Sequence, residues 1–142
     1  MAITPTVGTR NSVTVTSLST LANGSYATSN AITPNTNKPV DVIIELEATP
    51  GTVAAPKQAA LWILPSMDGS TYATGGTSTA DDIVPVPLGV MKLPSNTTQQ
   101  RKEFSVFDAL GFIPYSFKVA IKNDSGSTFS AAALYATEIS IP

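Results

Sequence analysis

The sequence predicts an all-β fold, an antiparallel β-sandwich or jelly roll of roughly seven to eight short strands. Two segments alternate apolar and polar residues with the period of a strand, and turn-forming residues separate the apolar runs. The eleven prolines and nine glycines are spread along the chain, which disfavours long helices because both residues interrupt them. Short strands joined by turns are typical of sandwiches and jelly rolls.

The clearest strand patterns are "VDVIIELEAT" and "SFKVAIKN". Alternate side chains of a strand point to opposite faces of a sheet, so each segment has one predicted core face. In the first segment that face comprises Val40, Val42, Ile44 and Leu46. The other face, predicted to be solvent-exposed, comprises Asp41, Ile43, Glu45 and Glu47. In the second segment we expect Phe117, Val119 and Ile121 to point inward and Ser116, Lys118, Ala120 and Lys122 to point outward.

Further strands are predicted in "NSVTVTSL", "QAALWILPS", "DIVPVPLGVMKL", "RKEFSVFDA" and "ALYATEISI", with a weak one near residues 25–32. Pro85 and Pro87 alternate with valines in the third of these segments. Because proline cannot donate to a β-ladder, this segment is predicted to be an edge strand or an extended arm.

The chain is predicted to form one domain at residues 13–142, preceded by an N-terminal arm at residues 1–12. The arm, "MAITPTVGTRNS", has no core pattern, so we expect its order to depend on a partner. It lacks the basic and apolar regions of a secretory signal, which favours a protein used without export. The segment from Tyr72 to Asp82 is predicted to be an accessory loop that contacts partners.

The charge pattern favours assembly with other subunits over binding to nucleic acid or membrane. Only 13% of the residues are charged and the net charge is −2, so few ions must be desolvated when subunits pack together. The basic residues are scattered and form no stripe that would follow a phosphate backbone. No apolar run approaches the roughly 18 residues that span a bilayer.

Side chains that could support catalysis or bind a metal are few. The chain has no Cys and no His, which excludes thiolate nucleophiles, common zinc sites and His-based acid–base schemes. The candidate acids all have turn or solubility explanations, and none follows a calcium-loop spacing; they are Asp41, Glu45, Glu47, Asp68, Asp81, Asp82 and Asp124. We therefore expect no enzyme activity and no catalytic, cofactor-binding or metal-binding residues.

Aromatic residues leave carbohydrate binding open as an alternative. Trp62, the only tryptophan, lies in the apolar run "AALWILP" and is predicted to be buried in the core. Tyr72 lies in a polar segment and is predicted to be the most exposed aromatic residue. A single exposed tyrosine is not a saccharide platform.

The segments "LSTLANGSYATS", "SMDGSTYATGG" and "FSVFDALGFIPYSFKVAIKNDSGSTFSA" resemble those of small β-sandwich virion structural proteins of tailed bacteriophages. The resemblance extends over most of the chain, from Leu18 to Ala131. It implies a virion subunit made in the host cytoplasm: a capsid decoration or cement protein, a head-fibre component or a tail-associated protein. Implied partners are other copies of itself, in a homo-oligomer, and the major coat or other virion proteins.

Two interpretations of this resemblance remain open. The first is a capsid decoration, cement or head-associated subunit held by repeated contacts to the particle. The second is a tail- or fibre-associated adhesin module that binds host surface carbohydrate. Asn123, Asp124 and Gly126 lie where the motif's strand ends, and their turn chemistry predicts a hairpin turn without a ligand.

Overall fold

A computed structural model describes residues 3–35, 39–74 and 86–142. Within these ranges the predicted all-β fold is confirmed. No helix among the described residues is both long and apolar enough to cross a membrane. The strands are β1 (Thr6–Val7), β2 (Asn11–Val13), β3 (Tyr26–Thr28), β4 (Asp41–Thr49), β5 (Gln58–Ser66), β6 (Val86–Lys92), β7 (Gln100–Ser105), β8 (Ser116–Asp124) and β9 (Ala131–Ser140), with a 3-10 turn at Leu18–Thr20 and helix α1 (Val106–Leu110).

The strands form two antiparallel sheets. In sheet 1 the order is β1–β9–β4–β7, with β2 also paired to β9, and in sheet 2 it is β3–β8–β5–β6. The pairs are nested, because β2 pairs with β9, β3 with β8, β4 with β7 and β5 with β6. Strands before the β5–β6 connection therefore pair with strands after it, and the pairs alternate between the two sheets. This is the strand order of a jelly roll.

The core lies between the inward faces of the two sheets. Six of the seven residues predicted from strand parity to point inward are buried: Val42, Ile44, Leu46, Phe117, Val119 and Ile121. Val40 is 40% exposed, and its prediction as a core-face residue is wrong because it precedes β4 at the end of the sandwich.

Two residues predicted to point into solvent from β8 are buried. Ala120 lies between Trp62 and Thr28 in the ladder, so larger neighbours cover its methyl group. Ser116 is covered by Tyr72, whose hydroxyl oxygen lies 2.8 Å from Ser116 Oγ. The outer face of sheet 2 is therefore partly covered by its own side chains, which strand parity alone does not predict.

The strand predicted through "RKEFSVFDA" ends halfway, at Ser105. Ser105 caps α1, and its Oγ accepts a hydrogen bond of 3.1 Å from the Asp108 amide. The helix ends at Gly111, which has the positive φ of 79° that a glycine C-cap accommodates. The local capping signals therefore outweigh the strand pattern over residues 106–109.

The N-terminal arm is not an unpaired segment. Its residues 6–7 and 11–13 form β1 and β2 on the edge of β9, and the Gly8 amide donates to the Glu138 carbonyl at 2.8 Å. The expectation that a partner is needed to order it is wrong for the described residues. Its side chains are largely exposed, so main-chain pairing, which needs no core pattern, provides the order.

The proline-containing segment supplies β6, which is an edge strand of sheet 2 as predicted. Pro87 lies opposite Trp62, next to an irregularity in the β5–β6 register. Proline has no amide proton to donate, so it is tolerated on an edge strand, where one side of the strand is unpaired. Pro85 lies outside the described residues.

Replacement of Ile44 by Ala should lower the free energy of unfolding by about 2–5 kcal/mol, because the side chain is fully buried and its loss leaves a cavity. Urea denaturation measures the change. Val90→Ala is the matched control; Val90 is 37% exposed, so its loss should cost less than about 1 kcal/mol. Equal losses in the two variants would contradict the described core.

Candidate functional site

The two ends of the sandwich differ in chemistry. At one end, here called the turn end, the connections at residues 18–25, 50–57, 93–99 and 124–130 meet. Hydrogen bonds join them: the Ala54 amide donates to the Ser125 carbonyl at 2.8 Å, and the Phe129 amide to the Leu21 carbonyl at 3.1 Å. The turn end is thus closed by contacts within the chain.

The segment around Asn123 is the centre of the turn end. The fully buried Asn123 side chain donates to the carbonyls of Leu21 and Ser127 at 2.7 and 2.8 Å and accepts from the Ser125 amide. Gly126 has a φ of 99°, and a Cβ there would lie 2.4 Å from the Ala54 nitrogen. The segment is a turn, as predicted, and the side chains of Asn123 and Ser125 are bonded within the chain, whereas the buried Ser127 Oγ has no hydrogen-bond partner among the described residues.

This turn is not a hairpin, however. It joins β8 in sheet 2 to β9 in sheet 1, and the two strands do not pair with each other. The hairpin prediction is wrong because turn residues specify a chain reversal but not whether the next strand stays in the same sheet.

The opposite end of the sandwich, here called the apolar end, is where β4 and β8 begin and where β5, β7 and β9 end. Apart from Val90, every exposed large apolar residue among those described lies there. Met67 is 65% exposed, Tyr115 62% and Phe112 43%. The full set is Ile3, Val7, Val40, Met67, Phe107, Phe112, Tyr115 and Ile141.

Sequence reasoning did not identify the apolar end as a surface. Its residues come from the arm, from connections and from the ends of strands, which only the fold brings together. A signal was available in "VFDALGFIPY", where aromatic and apolar residues crowd a segment without strand parity.

The acids predicted to keep the outer face of β4 soluble are instead held in ion pairs. Arg10 bonds to Glu45 and, at 2.6 Å, to Glu47, while its guanidinium lies 3.4 Å from the centre of the Tyr135 ring. Arg101 also reaches Glu47, at 3.2 Å. The two carboxylates are only 12% and 11% exposed, so the prediction of a solvent-exposed face is wrong there. Arg10 attaches the β1–β2 connection to sheet 1.

The remaining acids that sequence reasoning considered lie apart from one another. Asp41 accepts hydrogen bonds from Ser105 Oγ and from the Phe107 amide at the start of α1. Asp124 lies on β8, 3.7 Å from the Lys122 ammonium. Asp81 and Asp82 lie outside the described residues. Among the residues that the structure describes, no group of three or more acids is placed to hold a metal ion.

Asp68 organises the turn that follows β5. Its Oδ1 accepts from the amides of Thr71 and Ser70 at 2.7 and 2.8 Å and from Ser66 Oγ at 3.0 Å. These bonds, the Thr71 amide first, lower the pKa of Asp68 from 3.8 to about 2. The carboxylate form is therefore preferred in the folded turn.

The two aromatic predictions are wrong. Trp62 is half-buried on the outer face of sheet 2, whereas its neighbours Leu61 and Ile63 enter the core. Tyr72 is also half-buried, because it folds back over Ser116. Tyr115 is the exposed tyrosine instead.

The outer face of sheet 2 carries a group of aromatic and basic side chains. The rings of Tyr26 and Trp62 lie with their centroids 6.0 Å apart and their planes tilted by 41°. The Lys122 ammonium lies 5.3 Å from the Tyr26 ring centre, and the Lys118 ammonium 4.5 Å from that of Tyr72. We call the surface formed by Tyr26, Trp62, Tyr72, Lys118 and Lys122 the aromatic face.

A groove of about 370 Å³ lies between β2 and residues 30–33. Val13, Val42 and Ala136 give it apolar walls. Of the described residues that line it, Glu138 alone is ionisable, and that carboxylate accepts a hydrogen bond from the Asn35 amide. The described lining of the groove therefore contains no acid and base side chains placed side by side.

No protein-family model matches the chain, and a search of curated proteins finds no match either. Functional inference for this chain therefore rests on its own residues and geometry.

Replacement of Arg10 by Ala should loosen the β1–β2 connection while the sandwich remains folded, because Arg10 joins this connection to Glu45 and Glu47. We expect faster amide hydrogen exchange at Gly8, whose bond to Glu138 holds the segment to β9. Arg101→Ala is the control, since Arg101 also contacts Glu47 but belongs to β7. Unchanged exchange at Gly8 in Arg10→Ala would show that main-chain pairing alone holds the segment.

Acidification should loosen the Asp68 turn only at very low pH. The folded pKa lies below the ordinary value, so the turn's stabilisation is present above about pH 4 and is lost as the pH falls through about 2. The Asp68 carboxyl resonance, followed by NMR, should titrate near 2. In Asp68→Asn, hydrogen exchange at the Ser70 and Thr71 amides should no longer show a pH dependence with this midpoint. A midpoint near 3.8 in the unmodified protein would show that the amide bonds do not form in solution.

Proposed function

We propose that this chain is a bacteriophage virion structural protein, a capsid decoration or cement subunit or another head-associated subunit, held in a repeated array by its apolar end. Its partners are further copies of the chain and the coat or other virion proteins. The observation that carries the proposal is the concentration of exposed apolar side chains at one end of the sandwich.

The distribution of these side chains supports a docking surface at that end. Single exposed apolar residues are ordinary on protein surfaces, but a contiguous apolar group indicates an interaction site. Phe112 and Tyr115 are large aromatic residues, the kind that commonly anchors an interface. The described connections of the turn end contribute no exposed large apolar side chain, and the Asn123 side chain joins two of them by hydrogen bonds.

The low charge of the chain supports repeated contacts. Only 13% of its residues are charged, so a subunit can approach neighbours with little ion desolvation. Many identical weak contacts then hold each copy through avidity.

The fold itself is compatible with two functions. Jelly rolls occur in viral capsid proteins and in lectins, and a fold alone does not define a function. The second candidate, an adhesin module of a tail or fibre that binds host surface carbohydrate, is favoured by the half-buried Trp62 on the aromatic face.

Copy number separates the two candidates. Virions purified from a culture that carries the gene should contain the chain in numbers comparable to the coat protein, as quantified by mass spectrometry against labelled peptides. A handful of copies per particle would favour the adhesin. Absence of the chain from purified virions would refute both.

A paired variant tests the surface. Phe112→Ser combined with Tyr115→Ser should lower occupancy on the particle by about tenfold or more, because two aromatic anchors are lost. Both side chains are exposed, so the melting temperature should change little. Val90→Ser is the matched control, since Val90 is the exposed large apolar residue away from this end. Full occupancy of the double variant would place the contacts elsewhere.

A further inference from the structure

We propose that the aromatic face binds an acidic saccharide chain, with one sugar ring stacked on Trp62. This inference rests on the second candidate function, the carbohydrate-binding adhesin, and names the class of saccharide and the residues that bind it. The central residues of the aromatic face, Tyr26, Trp62 and Lys122, lie along the strands of sheet 2 away from the apolar end, so saccharide binding and particle occupancy can be measured independently.

The aromatic rings lie close together because the residue between them on the sheet is small. Ala120 lies opposite both Trp62 and Thr28, and its methyl group is fully buried. Because the residue at the centre is small, Tyr26 and Trp62 reach over it and bring their rings to 6.0 Å. The outcome is a pair of adjacent, half-buried aromatic rings on the outer face of sheet 2.

The position of Trp62 is not explained by the core. Leu61 and Ile63, on either side of it, belong to the main core cluster, whereas Trp62 points to the other side of the sheet and remains partly exposed. Tryptophan and tyrosine combine an apolar ring surface with a polar group at the edge. A pyranose ring likewise has an apolar C–H face and hydroxyl groups at its edge, so the two surfaces are complementary.

The charges on this face favour an acidic saccharide. Lys118 and Lys122 are each two residues from Ala120 on β8, about 7 Å to either side of it along the strand. Lys92, at the end of β6, adds a third ammonium group and donates to Gln58 Oε1 at 2.9 Å. Two carboxylates lie near these lysines: Asp124, 3.7 Å from Lys122, and Asp68, which accepts from Ser66 Oγ in the turn that carries Tyr72. A net positive sheet in a chain of net charge −2 complements carboxylates on a bound chain.

Two polar side chains on the same face of sheet 2 are available to sugar hydroxyls. Thr28 lies beside Ala120, and Gln58 lies opposite Asp124. Three ammonium groups are few for a nucleic acid strand, which carries a phosphate at every nucleotide and binds through many basic contacts.

Trp62 is the sole tryptophan of the chain, so intrinsic fluorescence reports directly on the proposed site. The full chain is titrated with tetragalacturonate as the acidic probe, with maltotetraose as the neutral probe, and with oligothymidylate. We expect a saturable change in emission with tetragalacturonate that weakens in about 0.5 M NaCl, where charges are strongly screened. Maltotetraose should bind at least about tenfold more weakly.

Calorimetry with tetragalacturonate then tests the individual residues. Trp62→Ala should weaken binding by about tenfold or more, whereas Trp62→Phe should retain part of it. The double variant Lys118→Gln with Lys122→Gln should lose affinity and salt dependence while the aromatic rings remain in place. Phe107→Ala is the aromatic control, because Phe107 is exposed and lies on α1, outside the strands of the aromatic face, and this variant should bind as the unmodified chain does. Circular dichroism confirms that each variant is folded.

Four results would overturn the proposal. The first is the absence of any fluorescence or calorimetric response to tetragalacturonate. The second is equal binding of the neutral probe, and the third is full affinity in a folded Trp62→Ala variant. The fourth concerns the nucleic acid probe. Tighter binding of oligothymidylate than of tetragalacturonate would assign the aromatic face to nucleic acid bases instead.

Discussion

The pairing of β4 with β9 and of β5 with β8 is the constraint on which the rest of the structure depends. Each pair runs for nine residues, and each joins parts of the chain that are far apart in sequence. The pairs form the centres of the two sheets, so the shorter strands can only add at their edges. Their inward side chains form most of the core. Long-range pairs of this kind bring a large loop-closure cost, which burial of the core must offset.

The same pairing of strands determines which connections meet at each end. Turns rich in Asn, Ser and Gly meet at one end, and their polar groups bond to one another around Asn123. At the other end the connections carry Met67, Phe107, Phe112 and Tyr115, which find no comparable cover within the described chain. An apolar surface and a surface closed by polar contacts thus follow from one topology.

Strand parity predicted the core residues within β4 and β8 but not the outer faces. Ile44 and Val119 alternate with polar residues, and burial follows from that period. The burial of Trp62 could not be predicted in this way, because both faces of an apolar strand have apolar side chains. Only the packing of the two sheets shows which face enters the core. Glu45 and Glu47 were misplaced for a related reason, since Arg10, which covers them, lies more than thirty residues away along the chain.

Features that depend on neighbouring residues were easier to predict from the sequence than features that depend on distant strand pairing. The helix after β7 could have been predicted from Ser105, Asp108 and Gly111, which cap its two ends. The jelly-roll order could not, because no local residue shows that β8 and β9 enter different sheets. The aromatic face depends on that order, since it needs β3, β8 and β5 side by side.

A density map of the virion at side-chain resolution tests the central claim most directly. The account predicts that the apolar end of each copy lies against a neighbouring subunit, with Phe112 and Tyr115 in van der Waals contact and shielded from solvent. The turn end around Asn123 should face away from that contact. A map in which the apolar end points into solvent while the turn end makes the contacts would contradict the account.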